Sequence, residues 1–373
     1  MDSEAAVLIV AISGRALAAS ARRGGYLPLV ADMFGDEDTL KAAHAYARLM
    51  GDLASGIEEH VLINALQTLS EGRPPAGVVC GTGFEDRTQL LRRIAERWRL
   101  IGNGAEVVAN VKNPQVLSSI CADFDIPFPE ISLIEPSTPT GWLAKRKGGA
   151  GGTHIKPASQ SSNSGGEIYY QRKVCGAPVA ASFLADGERA VILGFSAQWS
   201  SPRSGQPYRY GGAVRPAQLA PYIADLLSAA VQRIVARTSL VGLNSADFLV
   251  DGERFWLLEI NPRPGATLDI FEKADESLFA KHMAACAGKL VTGSHYPRGA
   301  KAAEIVYAQD DIPSLPVLDW PDWTADRPTV GSTIKAGEPL CTVHACSLAV
   351  TGAKALAEKR RKTVLLWTHA RNS

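Results

Sequence analysis

Two acids and an amide fall on what reads as a single apolar hairpin, Asp247-Phe-Leu-Val-Asp251-Gly252-Glu-Arg-Phe-Trp-Leu-Leu-Glu259-Ile-Asn261-Pro-Arg263. An Asp-Gly pair between runs of Val, Phe, Leu and Trp is a strong short-range hairpin signal. Glu259 and Asn261 are two apart, so the alternation of a strand puts both on one face. Asp247 joins that face if the loop holds an odd number of residues, such as Asp251-Gly252-Glu253 with a bulge. A carboxylate inside an apolar strand is costly unless a cation meets it. Three hard oxygen donors converging on one spot suit Mg²⁺, which takes a few protein oxygens together with those of a phosphate. A hairpin whose acids are simply solvated would carry the same residues, so the reading needs partners elsewhere in the chain.

Such partners occur upstream. The segment Trp142-Leu-Ala-Lys145-Arg-Lys147-Gly148-Gly149-Ala-Gly151-Gly152-Thr153 carries two lysines and then opens into a glycine-rich loop. Glycine lets backbone N–H groups approach an anion, and lysine supplies a point charge. The spacing is not GxxxxGK[ST], which excludes the usual phosphate-binding loop of that class. Lys112, in Asn110-Val-Lys112-Asn-Pro114, lies just before a predicted helix over 115–123, with Pro114 suited to its first turn. The run Ile168-Tyr-Tyr-Gln171-Arg172-Lys-Val174-Cys-Gly176 reads as a strand ending in a turn, where departing backbone could meet an adenine edge.

In order and spacing these segments resemble the ATP-grasp superfamily over roughly residues 106–290, and the N-terminal third resembles the pre-ATP-grasp domain. The resemblance implies an α/β and α+β chain: an ATP-grasp fold with a Rossmann-like pre-ATP-grasp domain and a small C-terminal β-rich domain. It also implies roles. Lys112, Lys145 and Lys147 contact phosphates, and Gly148, Gly149, Gly151 and Gly152 form a flap above them. Gln171, Arg172 and Val174 belong to the adenine hinge, and Asp247, Glu259 and Asn261 hold Mg²⁺ (or Mn²⁺). Arg263 and Lys145 are the catalytic pair, with Arg263 steadying the transferred phosphoryl group or the acyl phosphate. Two departures stand out. Arg172 occupies a hinge position that usually carries an acid, and Ala177-Pro-Val-Ala-Ala-Ser182 lacks the acid that often binds ribose. The implied activity is an ATP-dependent ligase joining a small-molecule carboxylate to an amine through an acyl phosphate. The texture is similar to tyramine–glutamate ligases of methanofuran-type cofactor biosynthesis. A kinase-like phosphoryl transferase and a non-catalytic nucleotide sensor are the rival readings.

The elements around these residues divide the chain into 1–105, 106–292 and 293–373, with a flap-bearing part over about 115–175 and a metal-binding part over about 176–292. In the first region a buried strand Ala6-Val-Leu-Ile-Val-Ala, a helix 15–23 and strands at Tyr26–Ala31 and Gly77–Cys80 alternate, which predicts a parallel sheet. Ile12-Ser13-Gly14-Arg15 lacks GxGxxG, so a dinucleotide dehydrogenase is not expected. Ser13-Gly14 is instead a candidate helix cap beside which Arg15 could meet a small anion. Glu85 follows a predicted strand at a position where open α/β sheets place ligands, and is a candidate for the substrate amine. Arg209 and Arg215, in Tyr208-Arg209-Tyr210-Gly211-Gly212-Ala-Val-Arg215, suit a substrate carboxylate, for which arginine offers two parallel hydrogen bonds. A helix is predicted over 220–238 and a polar connection over 159–166. Beyond 295 the sequence predicts a strand at 302–308, a strand pair turning at Ala336-Gly337 and a terminal helix over 353–361.

Composition agrees with an enzyme of small molecules. The 373 residues carry 39 Lys plus Arg against 38 Asp plus Glu, a net charge of +1, which gives no electrostatic case for nucleic acid. No apolar run reaches the length of a membrane span, and the short apolar segment near the N-terminus reads as a strand. Six cysteines without CxxC pairs suggest reduced thiols and a cytoplasmic setting. Cys341, His344 and Cys346 lack an evident fourth metal ligand. A homodimer is the macromolecular assembly the resemblance allows.

Overall fold

The computed structural model describes residues 4–52, 56–160, 167–290 and 298–372. Its N-terminal part is a four-stranded sheet in the order Ala45–Arg48, Leu27–Asp32, Ala6–Val10, Val78–Cys80, parallel throughout. The uninterrupted apolar run Ala6–Val10 is fully buried, as a strand covered on both faces must be. Helix Arg15–Arg23 follows it as the sequence predicts. Ala45–Arg48 is an additional strand, short and half exposed, with no apolar period to announce it.

An antiparallel sheet of eight strands forms the body. Its order is Arg254–Asn261, Val241–Asp251, Ala177–Asp186, Ala190–Ser200, Tyr210–Arg215, Ala300–Tyr307, Pro339–Ser347, Thr324–Ala325. One face buries Val179, Phe183, Phe248 and Leu257 against Ile223, Leu227 and Ile234 of helix Pro221–Thr238, together with Val111, Leu117 and Ile120. The opposite face packs Leu184, Leu193 and Leu243 with Val7, Ile9, Leu17 and Val30 of the N-terminal part, so both units share a core. A second, smaller sheet orders Ile131–Ser132, Ile168–Arg172, Trp142–Arg146, Lys156–Pro157 and carries the glycine-rich loop.

The C-terminal region departs from expectation. Among the described residues its two long strands belong to the central sheet, and although the Glu338 N–H closes a turn on the Lys335 carbonyl around Ala336-Gly337, the segments on either side of that turn do not pair as strands. Ala300–Tyr307 instead adds to Tyr210–Arg215, and Pro339–Ser347 adds to Ala300–Tyr307, so both extend the central sheet. An unpaired Tyr210–Arg215 would present a row of unmet N–H and C=O groups, and the added strands remove that edge. The terminal helix, Val350–Asn372, is longer than predicted. The boundary drawn at 292/293 and most of the polar connection over 159–166 lie outside the described residues.

Arg15 joins the three regions. Its guanidinium meets both oxygens of Asp269 at 2.8 and 2.5 Å and reaches Asp326 Oδ1 at 3.0 Å. Asp38 accepts from the backbone N–H groups of Asp326 and Arg327 at 2.9 and 3.0 Å. Nearby Asp36 is 4% exposed, and burial, with Asp326, Asp32 and Asp38 around it, pushes its carboxyl up to about 8. A carboxyl raised in the folded state costs nothing while both states are protonated. Its penalty grows as pH rises above the ordinary value near 4 and is complete above about 8. Asp36→Asn is therefore expected to be more stable than the parent by on the order of 2 kcal/mol at pH 8, with the gap closing toward pH 4. Denaturant melts of both proteins at the two pH values check this; an equal gap at pH 4 and 8 would remove Asp36 titration as the cause.

Candidate functional site

The hairpin pairs Asp251 with Arg254, so its loop is the two residues Gly252-Glu253, with Gly252 at φ +60°. That loop alone would set Asp247 opposite Leu258 and turn Glu259 to the other face. Register slips between Asp247 and Phe248, where Leu258 is the extra residue of a bulge, and Asp247 pairs with Glu259 directly. The odd count needed to bring the three groups together is thus supplied by the bulge rather than by a three-residue loop. Asn261, opposite Ser245, points the same way.

The three groups touch. Asn261 Nδ2 donates to Asp247 Oδ2 at 2.9 Å, and Gln198 Nε2 approaches Asp247 Oδ1 at 3.4 Å. Lys112 closes helix Ala105–Lys112, and its Nζ lies 3.3 Å from Glu259 Oε2 and 3.2 Å from Asn261 Oδ1. Burial and the neighbouring Glu259 raise the Asp247 carboxyl above its ordinary range. Burial also pushes Glu259 upward, but Lys112 and Lys145 outweigh it and hold that carboxyl low. Two half-buried carboxyl groups pressed together with one ammonium beside them form a set that a divalent cation would complete, and the donors are all hard oxygens. The residues therefore fit Mg²⁺.

Lys145, on strand Trp142–Arg146, is buried and donates from Nζ to Gln171 Oε1 at 3.1 Å. Burial pulls its ammonium downward, but Tyr169 and Glu259 outweigh that and raise it above its ordinary value. Around it Gln171 Nε2, Arg146 Nε and His154 Nδ1 are buried without a hydrogen-bond partner. Buried polar atoms are rarely left unpaired, so Gln171 Nε2, on the face of the sheet that carries Lys145, and His154 Nδ1 suit a polar, anionic ligand. Burial lowers the His154 imidazole to about 4, so the ring is neutral near pH 7.

Gly148, Gly151 and Gly152 take φ of +70°, +66° and +72°. The loop is held at both ends: a Cβ on Gly148 would come within 2.8 Å of the Asp86 backbone, and one on Gly152 within 2.0 Å of the Tyr208 carbonyl. Tyr210 N–H donates to the Gly151 carbonyl at 2.9 Å. Lys147 lies at the rim, paired with Glu167 at 2.9 Å. At the hinge, the N–H groups of Arg172 and Lys173 donate to the Glu130 and Gly141 carbonyls, both at 2.8 Å. The exposed Arg172 side chain turns outward onto the Trp142 ring, 5.0 Å away, and Val174 follows at the strand end.

Arg263 and Glu85 meet. Arg263 Nε donates to Glu85 Oε1 at 2.7 Å, while Glu85 Oε2 accepts from the Gly83 and Phe84 N–H groups at 2.9 and 3.0 Å. Burial favours the neutral acid, but Arg263, Lys112 and the Gly83 N–H overcome it and hold Glu85 ionised. Both oxygens, offered by the sequence to a substrate amine, are already engaged by the protein. The three arginines offered to small anions or carboxylates stand apart from this set. Arg15 is held by Asp269 and Asp326. Arg209 donates to the Ser201 and Gly337 carbonyls at 2.8 and 3.0 Å and stacks on Tyr307 at 3.6 Å. Arg215 donates to the Ile270 carbonyl and, at 3.0 Å, to that of Gly299.

Sequence reasoning missed His154, Gln198 and Arg146. A histidine two residues beyond the glycine run was the one available signal; Gln198 sits in a strand with nothing to mark it.

Comparison with known proteins gives this arrangement a context. A sequence model of the ATP-grasp domain matches residues 117–267. Among solved structures, biotin carboxylase from Campylobacter jejuni in complex with β-γ-ATP superimposes with a TM-score of 0.72 at 14% identity, covering 94% of this chain and 89% of that one. The biotin carboxylase domain dimer of Hydrogenobacter thermophilus 2-oxoglutarate carboxylase, with MgADP, ADP and bicarbonate, gives 0.71 at 13% identity, covering 95% and 88%. N5-carboxyaminoimidazole synthetase from Staphylococcus aureus, complexed with ADP, gives 0.69 at 15% identity, covering 97% and 98%. No described helix is long and apolar enough to cross a membrane. Residues 117–267 are an ATP-grasp domain, and the chain has the ATP-grasp fold.

Proposed function

We propose that the chain is an ATP- and Mg²⁺-dependent ligase that joins a small-molecule carboxylate to an amine through an acyl phosphate. The observation that carries this is the bulged hairpin: it sets Asp247, Glu259 and Asn261 on one face, in contact with Lys112. These three residues would hold Mg²⁺, or Mn²⁺ with the same donors, and the metal when bound neutralises phosphate charge. Phosphoryl transfer spreads negative charge over the transferred group, so its catalysis is mostly positioning and preorganised cations. Lys112 and Lys145 are buried and already held by Glu259, Asn261 and Gln171 before any ligand arrives, so they cost no reorganisation at the moment of reaction. Arg263, fixed by Glu85, is the arginine assigned to the phosphoryl group or the acyl phosphate. The glycine flap, pinned between Asp86 and Tyr208, excludes the water that would hydrolyse that intermediate.

ADP, MgADP and bicarbonate in the structural relatives support a nucleotide-driven activation of an acid. Within this class our narrower assignment is amino-acid ligation in methanofuran-type cofactor biosynthesis. A phosphoryl transferase without a second nucleophile is the nearest rival. A nucleotide sensor is less well supported, because sensing does not require a complete set of metal donors beside two buried lysines.

The test is ADP release with ATP, Mg²⁺ and a panel of acids that includes glutamate and bicarbonate, each with and without an amine. Amide or carbamate product with ADP release that needs both co-substrates is expected. Phosphorylated acid accumulating as the end product would replace the ligase with a kinase, and nucleotide binding without turnover on any acid would replace it with a sensor.

A further inference from the structure

We propose that His154 is a phosphate-contacting residue of the flap, its Nδ1 reaching the terminal phosphoryl group of a nucleotide seated beside Lys145. The inference rests on the ligase reading above and adds to it a side-chain contact from a loop otherwise made of glycine.

The ring lies flat against the loop it belongs to. A Cβ on Gly149 would come within 2.4 to 2.6 Å of the ring atoms Cγ, Cδ2 and Nδ1, so residue 149 has to be glycine for the ring to sit there. Nδ1 is buried and unpartnered, and so is Gln171 Nε2, on the strand that pairs with Trp142–Arg146 at the base of the same flap. The charged groups that act on His154 are Glu259, Lys145, Lys112 and Arg146, which are the residues of the phosphate end. A neutral imidazole can offer a hydrogen bond among three cations without adding to their mutual repulsion. A second reason lies in the backbone. The Gly149 N–H is spent on the Arg146 carbonyl and the Ile155 N–H on the Gly152 carbonyl. Donors that a glycine flap would present to phosphate are thus partly used to hold the loop in shape, and a side chain makes up the deficit.

The alternative is that the ring only stiffens the loop by packing on Gly149. Three variants separate the two. His154→Phe keeps a ring of similar size without the polar atom, His154→Asn keeps a polar atom near the Nδ1 position without the ring, and Gly149→Ala displaces the ring. Mg-ATP binding by calorimetry and the ATP KM of ADP release are the readouts, with thermal melts alongside. A single lost hydrogen bond to a charged group predicts that His154→Phe weakens ATP by about tenfold or more. His154→Asn should stay within about threefold of the parent, and Gly149→Ala should match the loss in His154→Phe without adding to it in the double variant. ATP affinity and turnover at the parent level in His154→Phe would overturn the assignment, as would equal losses in the Phe and Asn variants. A parent chain that binds no ATP would remove the ligase reading and this inference together, whereas a parent that turns over alongside an unimpaired His154→Phe removes His154 alone.

Discussion

Glu259→Gln is expected to lower Mg²⁺-dependent turnover by about a thousandfold while leaving the fold in place. The loss follows from charge. Glu259 is the member of the hairpin set whose carboxyl is held ionised, because Lys112 lies 3.3 Å away and Lys145 adds to the field. An amide at 259 keeps the shape and one oxygen donor but removes a full negative charge from the cation site. Stability should change little, for a reason specific to this arrangement. Asp247 is kept partly neutral by burial and by Glu259 itself. Once Glu259 is an amide, Asp247 ionises more readily and takes over as the counter-charge near Lys112, which also keeps its contact to Asn261. ADP release across a Mg²⁺ titration, paired with a thermal melt, measures both halves. Activity near the parent level would take Glu259 out of the site; a melting temperature lowered by ten degrees or more would show that Asp247 does not compensate.

How far these groups could be read from sequence depended on how local their geometry is. The acids and the amide were legible because strand alternation and an Asp-Gly turn are short-range properties. Even there, the bulge at Leu258 was not visible as such, since it is chosen by packing of the sheet rather than by Leu258 itself. The parallel N-terminal sheet was legible from fully apolar runs, while the half-exposed edge strand Ala45–Arg48 was not. The C-terminal strands were seen as strands, but their partners were set by an open edge at Tyr210–Arg215, more than 80 residues away in sequence. The arginines show the same limit in the site. Type and flanking residues mark Arg15, Arg209 and Arg215 as able to grip a carboxylate or a carbonyl. Whether that partner is a ligand or the protein itself depends on Asp269, Ser201, Gly337, Ile270 and Gly299, which only tertiary contact brings to them. Glu85 is the converse case, a residue marked by its place at a strand end whose role depends on a partner 178 positions later.

That partner makes Glu85→Gln the second large effect. Glu85 divides its two oxygens between Arg263 Nε and the N–H groups of Gly83 and Phe84. Glutamine has one carbonyl oxygen to offer. If it accepts from the Gly83 and Phe84 amides, its own NH₂ faces the Arg263 N–H, donor against donor; if it turns, the two backbone N–H groups lose their acceptor. Either way a mostly buried arginine loses its counter-charge, a change that costs on the order of 2 kcal/mol of stability. Turnover is expected to fall by about a hundredfold, because an arginine free to move no longer meets the developing charge where it forms. The division between kcat and KM then decides what Glu85 does. A positioning role through Arg263 predicts that kcat falls at saturating amine with little change in amine KM, and that Glu85→Gln adds nothing to the loss in an Arg263→Met background. A direct contact with the substrate amine predicts a raised amine KM that persists in that background. Steady-state kinetics on the two single variants and the double variant separate these outcomes, and an unchanged kcat in Glu85→Gln would break the proposed link between Glu85 and Arg263.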